Sequence, residues 1–295
     1  MNETGYLVTL HREGMDKMGE LNQNILVTAD WLKSRIGSDN IIVVDCRYNL
    51  IDQNYGISEY KKGHIPGSYF LDLESHLSGS KGKHTGRHPL PDAKEFAEKM
   101  NSMGLSSDKM VVAYDDESSG SARLWWLLRY YGHDEVRILD GGIQSWLDLG
   151  YPLSKEIPDH KKGKFIPSPR ENMTVELEDL KKGTKNMCII DSRSPERYRG
   201  EVEPIDPVAG HIPGAMNIDY KSNLDSKGRY LPAKVLEDRF SGIKGDPVVY
   251  CGSGVTACVN IVAMSLAGKH VLLYPGGWSQ WVSYPENPVI KENSN

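Results

Sequence analysis

The sequence predicts an α/β protein of two tandem domains, each a mainly parallel sheet covered by helices on both faces. Three observations predict it. Short β-branched runs alternate with longer apolar segments of helical period, the order of these segments occurs twice, and a polar stretch rich in Lys and Pro separates the two copies. Strand and helix in alternation imply parallel pairing, because a parallel neighbour needs a crossover long enough to hold a helix.

The repeat comes first because it sets the scale of everything else. The first half reads VTADWL, IIVVDCR, GHIPGS, VVAYDD, LDGGIQSW, GYP; the second reads VELEDL, CIIDSR, GHIPGA, VVYCGS, YPGGWSQW, SYP. The offset drifts from 148 residues at Val27 and Val175 to 135 at Trp146 and Trp281, as loops of unequal length require. A period of that size exceeds any solenoid unit and matches a duplicated domain. The expected division is an extension over 1–23, a first domain over 24–152, a linker over 153–172, a second domain over 173–290 and a tail over 291–295.

Within the first copy, residues 41–45, 110–114 and 137–139 read as buried strands, and in the second copy 187–191, 247–250 and 270–274 do. Residues 121–131 (SARLWWLLRYY) and 256–267 (TACVNIVAMSLA) place apolar side chains at helical spacing. In parallel sheets of this kind ligands sit beyond the carboxyl ends of the strands, and Cys251 directly follows one.

Composition narrows the function classes. With 35 basic against 40 acidic residues and a net charge of -5, the chain has no cationic surplus for a polyanion, so nucleic acid is not an expected partner. Four widely spaced cysteines with no CxxC pair point away from a disulfide scaffold and from a zinc site, and towards a reducing cytoplasm. The amino terminus lacks a cationic start followed by an apolar run, and no apolar stretch approaches the roughly 20 residues of a membrane span. No membrane partner, metal or cofactor is expected.

The chemistry concentrates in VVYCGSGVTACVN. A buried strand ends at Tyr250, Cys251 opens a turn containing Gly252 and Gly254, and an apolar helix begins near Thr256. Glycines let the backbone curl so that amides, including those of Ser253, Val255 and Thr256, converge above the sulfur. A helix amino terminus adds positive partial charge, and both effects favour a thiolate and any anionic sulfur bound to it. The plainer alternative is a small buried hydrophobe at a strand end. Cys258 reads as helix core, and Cys46 and Cys188 read as structural.

GHIPGA, VVYCGSGVTA and PGGWSQW together resemble the tandem-domain rhodaneses, whose relatives are the thiosulfate and 3-mercaptopyruvate sulfurtransferases; the resemblance covers about residues 25–290. It implies a persulfide carried on Cys251. It also implies a first domain without the cysteine, where Asp115 of DDESSGS holds the equivalent place and the domain serves as a wall of the cleft. The CGSGVT loop bears no cation after the cysteine and is similar to that of the mercaptopyruvate enzymes. In those, a relay of serine, acid and histidine corresponds here to Ser253, Glu74 in LDLESH and His88 in TGRHPLP. For the substrate carboxylate the resemblance points to Arg197 in DSRSPERYRG, with Arg193 as its neighbour. One departure concerns EVEPIDPVAG, which has no arginine after Glu203-Pro204. Thiosulfate or a protein-borne persulfide therefore stays open as donor. A thiol, cyanide or a thioredoxin-like protein is the implied acceptor.

Two other classes compete. Cysteine-dependent phosphatases and arsenate reductases place an arginine six residues after the cysteine, and here that residue is Ala257. A tandem domain serving only as a binding or regulatory module is the non-enzymatic alternative. The two GHIPG segments read as tight turns, with His64 and His211 structural.

Overall fold

The computed structural model describes residues 25–182 and 187–292. The extension expected over 1–23, and residues 293–295 of the expected tail, lie outside them. The first sheet contains β1 (Leu26–Val27), β2 (Ile41–Asp45), β3 (Tyr69–Phe70), β4 (Met110–Tyr114) and β5 (Val136–Leu139), in the order β1-β5-β4-β2-β3. The second contains β6 (Met187–Asp191), β7 (Met216–Asn217), β8 (Asp246–Tyr250) and β9 (Leu272–Leu273), in the order β7-β6-β8-β9. Every pairing in both is parallel. The helices are α1 (Ala29–Lys33), α2 (Tyr55–Lys62), α3 (Ala93–Ser102), α4 (Ser119–Tyr130) and α5 (Gly142–Asp148), then α6 (Leu177–Lys181), α7 (Pro195–Arg199), α8 (Ala233–Phe240), α9 (Ala257–Leu266) and α10 (Gly277–Trp281).

The duplication is visible in the register. Asp45 at the end of β2 lies opposite Tyr114 of β4, and Asp191 at the end of β6 lies opposite Tyr250 of β8. The strand expected over 270–274 shortens to Leu272–Leu273, because β9 is an edge whose outer partner is a single bridge from Thr174 to Leu273. That bridge stands where β1 stands in the first domain. The two-residue strands β1, β3 and β7 are too short to show alternation, and sequence periodicity misses them. Helix α4 starts two residues earlier than expected, behind Ser118, which takes the left-handed conformation at φ 64°.

Alternation along the strands divides the interior into three layers of apolar packing. Val43, Val112 and Leu139 face outward under α1 and α5. Val248, Tyr250 and Trp278 form the corresponding outer layer of the second domain. Between the sheets, Val44, Ala113, Trp126, Leu236, Val249 and Val255 belong to one continuous core shared by both domains. Helices α4 and α9 sit in that shared core, buried from Ser119 to Leu128 and from Ala257 to Met264. A helix buried on all sides has no solvent face to offer, so packing these two together fixes one domain against the other. Each begins at the carboxyl end of its sheet, and the turns before them meet at the interface.

The linker is held along the first domain. Ser154 exchanges backbone bonds with His64, at 2.9 and 2.8 Å, and the Lys161 amide donates to Ser102 at 2.9 Å. Both GHIPG histidines are structural here. His64 stacks on Tyr60 and bonds its carbonyl at 2.8 Å; His211 stacks on Tyr198 and bonds its carbonyl at 2.7 Å. Among the described residues no helix is long and apolar enough to cross a membrane.

Candidate active site at the domain interface

Cys251 follows β8 and opens the turn that leads into α9. The Cys251 carbonyl accepts from the Trp278 amide at 2.8 Å and the Gly252 carbonyl from the Ser279 amide at 2.9 Å. Both carbonyls are thereby turned towards PGGWSQW. Among the described residues the amides of Gly252, Ser253, Gly254, Val255 and Thr256 have no acceptor, the condition an anion cradle needs. Gly254 takes φ +75°, and a Cβ there would come within 2.5 Å of the Pro275 carbonyl, so no other residue fits. Val255 is buried in the shared core, and what it offers the site is its amide. Cys251 itself is 1% exposed, so a reactant reaches it only past the side chains above the turn.

The relay residues come together across the interface. Ser253 lies in the turn, His88 in a loop of the first domain, and both are buried. His88 Nδ1 stands 2.7 Å from Ser253 Oγ and its Nε2 stands 2.9 Å from Glu74 Oε1. Burial pushes the imidazole down to about 4, against the opposing pull of Glu74, so it is neutral at pH 7. The neutral ring donates from Nε2 to Glu74 and accepts the Ser253 hydroxyl at Nδ1. Burial alone would raise the Glu74 carboxyl; bonds from Lys81 and His88 outweigh it and hold Glu74 below the usual range.

Arginines lie over the turn. A Cβ built on Gly252 would stand 2.5 Å from Arg87 Nη2 and 3.7 Å from Arg197 Nη2. Any side chain at position 252 would occupy the space the guanidiniums take. Arg197 is gripped by Glu203, Nε at 3.1 Å and Nη2 at 2.6 Å.

Comparison with known proteins agrees with this fold. The rhodanese-like domain family matches residues 28–149 and again 173–284. A Pseudomonas aeruginosa protein named probable 3-mercaptopyruvate sulfurtransferase is 45% identical over 275 residues, which cover 90% of this chain and 97% of that protein. The chain belongs to the rhodanese-like family. Thiosulfate/3-mercaptopyruvate sulfurtransferase 2 of Arabidopsis thaliana is 31% identical over 91% of this chain and 87% of its own length. The crystal structure of an Escherichia coli 3-mercaptopyruvate sulfotransferase matches with a TM-score of 0.76 at 32% identity, covering 87% of this chain and 99% of that one. With relatives of this activity class matching over nine-tenths of its length, this rhodanese-like protein is a sulfurtransferase and not a cysteine-bearing binding module.

One expected site residue of the rhodanese-like chain sits elsewhere. Arg193 is buried, forked on Asp191 with Nη2 at 2.6 Å, and it also donates to the Gly210 carbonyl at 2.6 Å and to Glu203 at 3.1 Å. Arg47 makes the same fork on Asp45 and the same bond to the Gly63 carbonyl in the first domain. A residue that does the same work in a domain without the thiol is a strut, so Arg193 is corrected from substrate binding to structure.

Sequence reading also missed Asp206, which pairs with Arg87, and two arginines. Arg87 is adjacent to His88 in TGRHPLP, and its neighbour drew the attention. Arg123, inside the apolar run of α4, is fully buried and reaches the carbonyls of Gly254 at 3.1 Å, His88 at 3.2 Å and Leu77 at 3.3 Å. It ties the turn of one domain to the relay loop of the other. A charge in the middle of an otherwise apolar helix is the signal that could have revealed it, since such a charge persists only with partners. Of the other cysteines, burial pushes Cys258 up to about 12 and raises Cys46 and Cys188, which keeps them as thiols.

Proposed function

We propose that this sulfurtransferase takes the thiol sulfur of 3-mercaptopyruvate onto Cys251, where it becomes the sulfane sulfur of a persulfide, and passes it to a thiol. The observation that supports this donor is the Ser253–His88–Glu74 chain spanning the interface. A relay that moves a proton has work to do with a donor bearing a thiol proton. Thiosulfate bears none.

The Cys251 thiolate attacks the donor sulfur. The S–S bond forms, the C–S bond breaks, and its electron pair stays on carbon as the enolate of pyruvate. The donor's thiol proton passes to Ser253 as the serine proton moves to His88, and the pair returns one proton to the carbanion, leaving pyruvate and an anionic persulfide. Glu74 holds the ring in the tautomer that accepts from Ser253 and supports the imidazolium while it exists. Arg197 receives the donor carboxylate, for which a guanidinium fork is the matched partner.

In the second half-reaction an acceptor thiolate attacks the outer sulfur and the Cys251 thiolate leaves. Cyanide does the same and gives thiocyanate. A thioredoxin-like dithiol suits the step, because its second thiol releases the accepted sulfur as sulfide. Chemistry that starts from a free thiolate suits the reducing cytoplasm.

Incubation with 3-mercaptopyruvate, then intact-mass measurement, tests the assignment. The expected result is a gain of one sulfur atom, reversed by a thiol, absent from Cys251→Ser, and faster than with thiosulfate. Sulfur loading of Cys251→Ser at the normal rate overturns it.

A further inference from the structure

The two guanidiniums over Gly252 come from different domains. Arg87 precedes His88 in the first, and Arg197 lies on α7 in the second. One acid holds both: Asp206 Oδ1 pairs with Arg87 Nη1, and Asp206 Oδ2 lies 3.4 Å from Arg197 Nη2. The loop that delivers Asp206 is folded on Glu203, whose Oε1 accepts the amides of Ile205 and Asp206, each at 3.1 Å. The Asp206 side chain is 3% exposed, and burial raises its carboxyl despite two arginines beside it. An acid withdrawn from water and bridging two cations beside the thiol is not a solvated surface charge. The relay mechanism does not use it.

We propose that Arg87 is the second guanidinium of the donor clamp, supplied by the first domain, and that Asp206 sets the clamp's charge so that it accepts a monocarboxylate in preference to a dianion. The proposal rests on the reading of Cys251 as the sulfur carrier fed by 3-mercaptopyruvate. No arginine follows Glu203-Pro204 in this chain, and Arg87 brings a cation to the same carboxylates from the opposite wall. Arg87, Arg193 and Arg197 together with Asp191, Glu203 and Asp206 sum to zero charge. A donor carboxylate can take over, one for one, the N–H donors that Asp206 engages. Thiosulfate brings a second negative charge that this cluster has no unmatched cation to meet, beside two acids held out of water where such repulsion is poorly screened. Removing the Asp206 charge leaves the cluster at +1 and lifts that penalty.

Steady-state kinetics with both donors and cyanide as common acceptor test this. Asp206→Asn is expected to raise the kcat/KM ratio of thiosulfate to 3-mercaptopyruvate at least tenfold. Arg87→Met is expected to raise KM for 3-mercaptopyruvate at least tenfold with kcat within threefold, and Arg87→Lys to recover part of the loss. A purely structural role would lower both donors' rates together and leave the ratio in place. An unchanged ratio in Asp206→Asn, or an unchanged KM in Arg87→Met, overturns the proposal. Should either variant fail to fold, the unaltered protein decides: pyruvate is expected to compete with the donor at least tenfold more tightly than sulfate, and equal inhibition overturns the proposal. Intact mass separates the two levels of inference. Loading of Cys251 by 3-mercaptopyruvate with an unchanged donor ratio sinks only the clamp, whereas loading by neither donor sinks both.

Discussion

Two turns occupy equivalent places in this molecule, at the carboxyl ends of β4 and β8, and only one of them holds a thiol. Their scaffolds agree closely. The Asp115 carbonyl accepts from the Ile143 amide at 2.8 Å, as the Cys251 carbonyl accepts from Trp278 at 2.8 Å. Gly142 and Gly277, at φ +55° and +59°, each face that carbonyl so closely that a Cβ would collide with it. What differs is the acceptor for the amides. Asp115 turns its carboxylate back into its own turn and takes the amides of Ser118 at 2.8 Å and Ser121 at 2.9 Å, while the corresponding amides after Cys251 are left for something else. A carboxylate oxygen stands two bonds beyond Cβ, and so does the outer sulfur of a persulfide. The first domain thus marks, with a carboxyl group, the depth at which the outer sulfur of the proposed persulfide would lie in the second.

Exchanging the residue breaks the comparison most severely. Cys251→Asp should keep the turn folded, because the other copy already tolerates an acid there, yet lower sulfur transfer by at least about 1,000-fold, since no other group can form the covalent intermediate. Turnover assays alongside a thermal melt check it. Residual transfer near the normal rate would mean that another thiol, with Cys258 the nearest in sequence, carries the sulfur. The next largest effect belongs to the relay, which the first domain's turn lacks. His88→Ala should lower turnover of 3-mercaptopyruvate by about 100-fold and that of thiosulfate much less. In the unaltered protein activity should fall on the acid side as pH drops through about 4, where the buried imidazole gains a proton and can no longer accept from Ser253. An acid limb that persists unchanged in His88→Ala would show that His88 is not the group being titrated.

The paired struts sharpen the comparison from the other side. Arg47 and Arg193 make matched forks on Asp45 and Asp191, so Arg47→Lys and Arg193→Lys should each cost about 2 kcal/mol of stability by losing the fork. Both should leave KM for the donor within about threefold. A KM that rises in Arg193→Lys alone would return that residue to substrate binding.

How much of this was readable in the sequence follows from how local each signal is. Central strands β2, β4, β6 and β8 are buried on both faces and announce themselves as β-branched runs. The edges β1, β3 and β7 owe their existence to a partner, and nothing in two residues betrays it. Cys251 was legible because its glycines, strand and helix are contiguous. His88 and Glu74 carried no such signal of their own, and the family resemblance singled them out before the structure brought them within 2.9 Å of each other. Arg87, Arg123 and Asp206 were missed because their meaning lies in partners more than 100 residues away, reached only when α4 and α9 pack the domains together.

The smallest effect on turnover concerns Asp115, and it tests the electrostatics of the comparison directly. Burial pushes its carboxyl up to about 7, against the amide bonds of Ser121, Ser118 and Gly120 that favour the anion. In an unfolded chain the same group titrates near about 4. Between those values the folded protein keeps a proton that the unfolded chain has released, so this group's contribution to stability falls as pH rises from about 4 to about 7 and is level outside that window. The expected size is on the order of a few kcal/mol. Asp115→Asn cannot titrate, and denaturant unfolding of both proteins across pH 4 to 8 should show the variant gaining relative to the unaltered chain as pH rises, with turnover at pH 8 changed less than about twofold. A difference that stays flat over that range would mean that the amides of the first cradle outweigh its burial and keep the carboxylate ionised throughout. The second cradle, built on the same frame, would then be strong enough to hold the proposed persulfide as an anion.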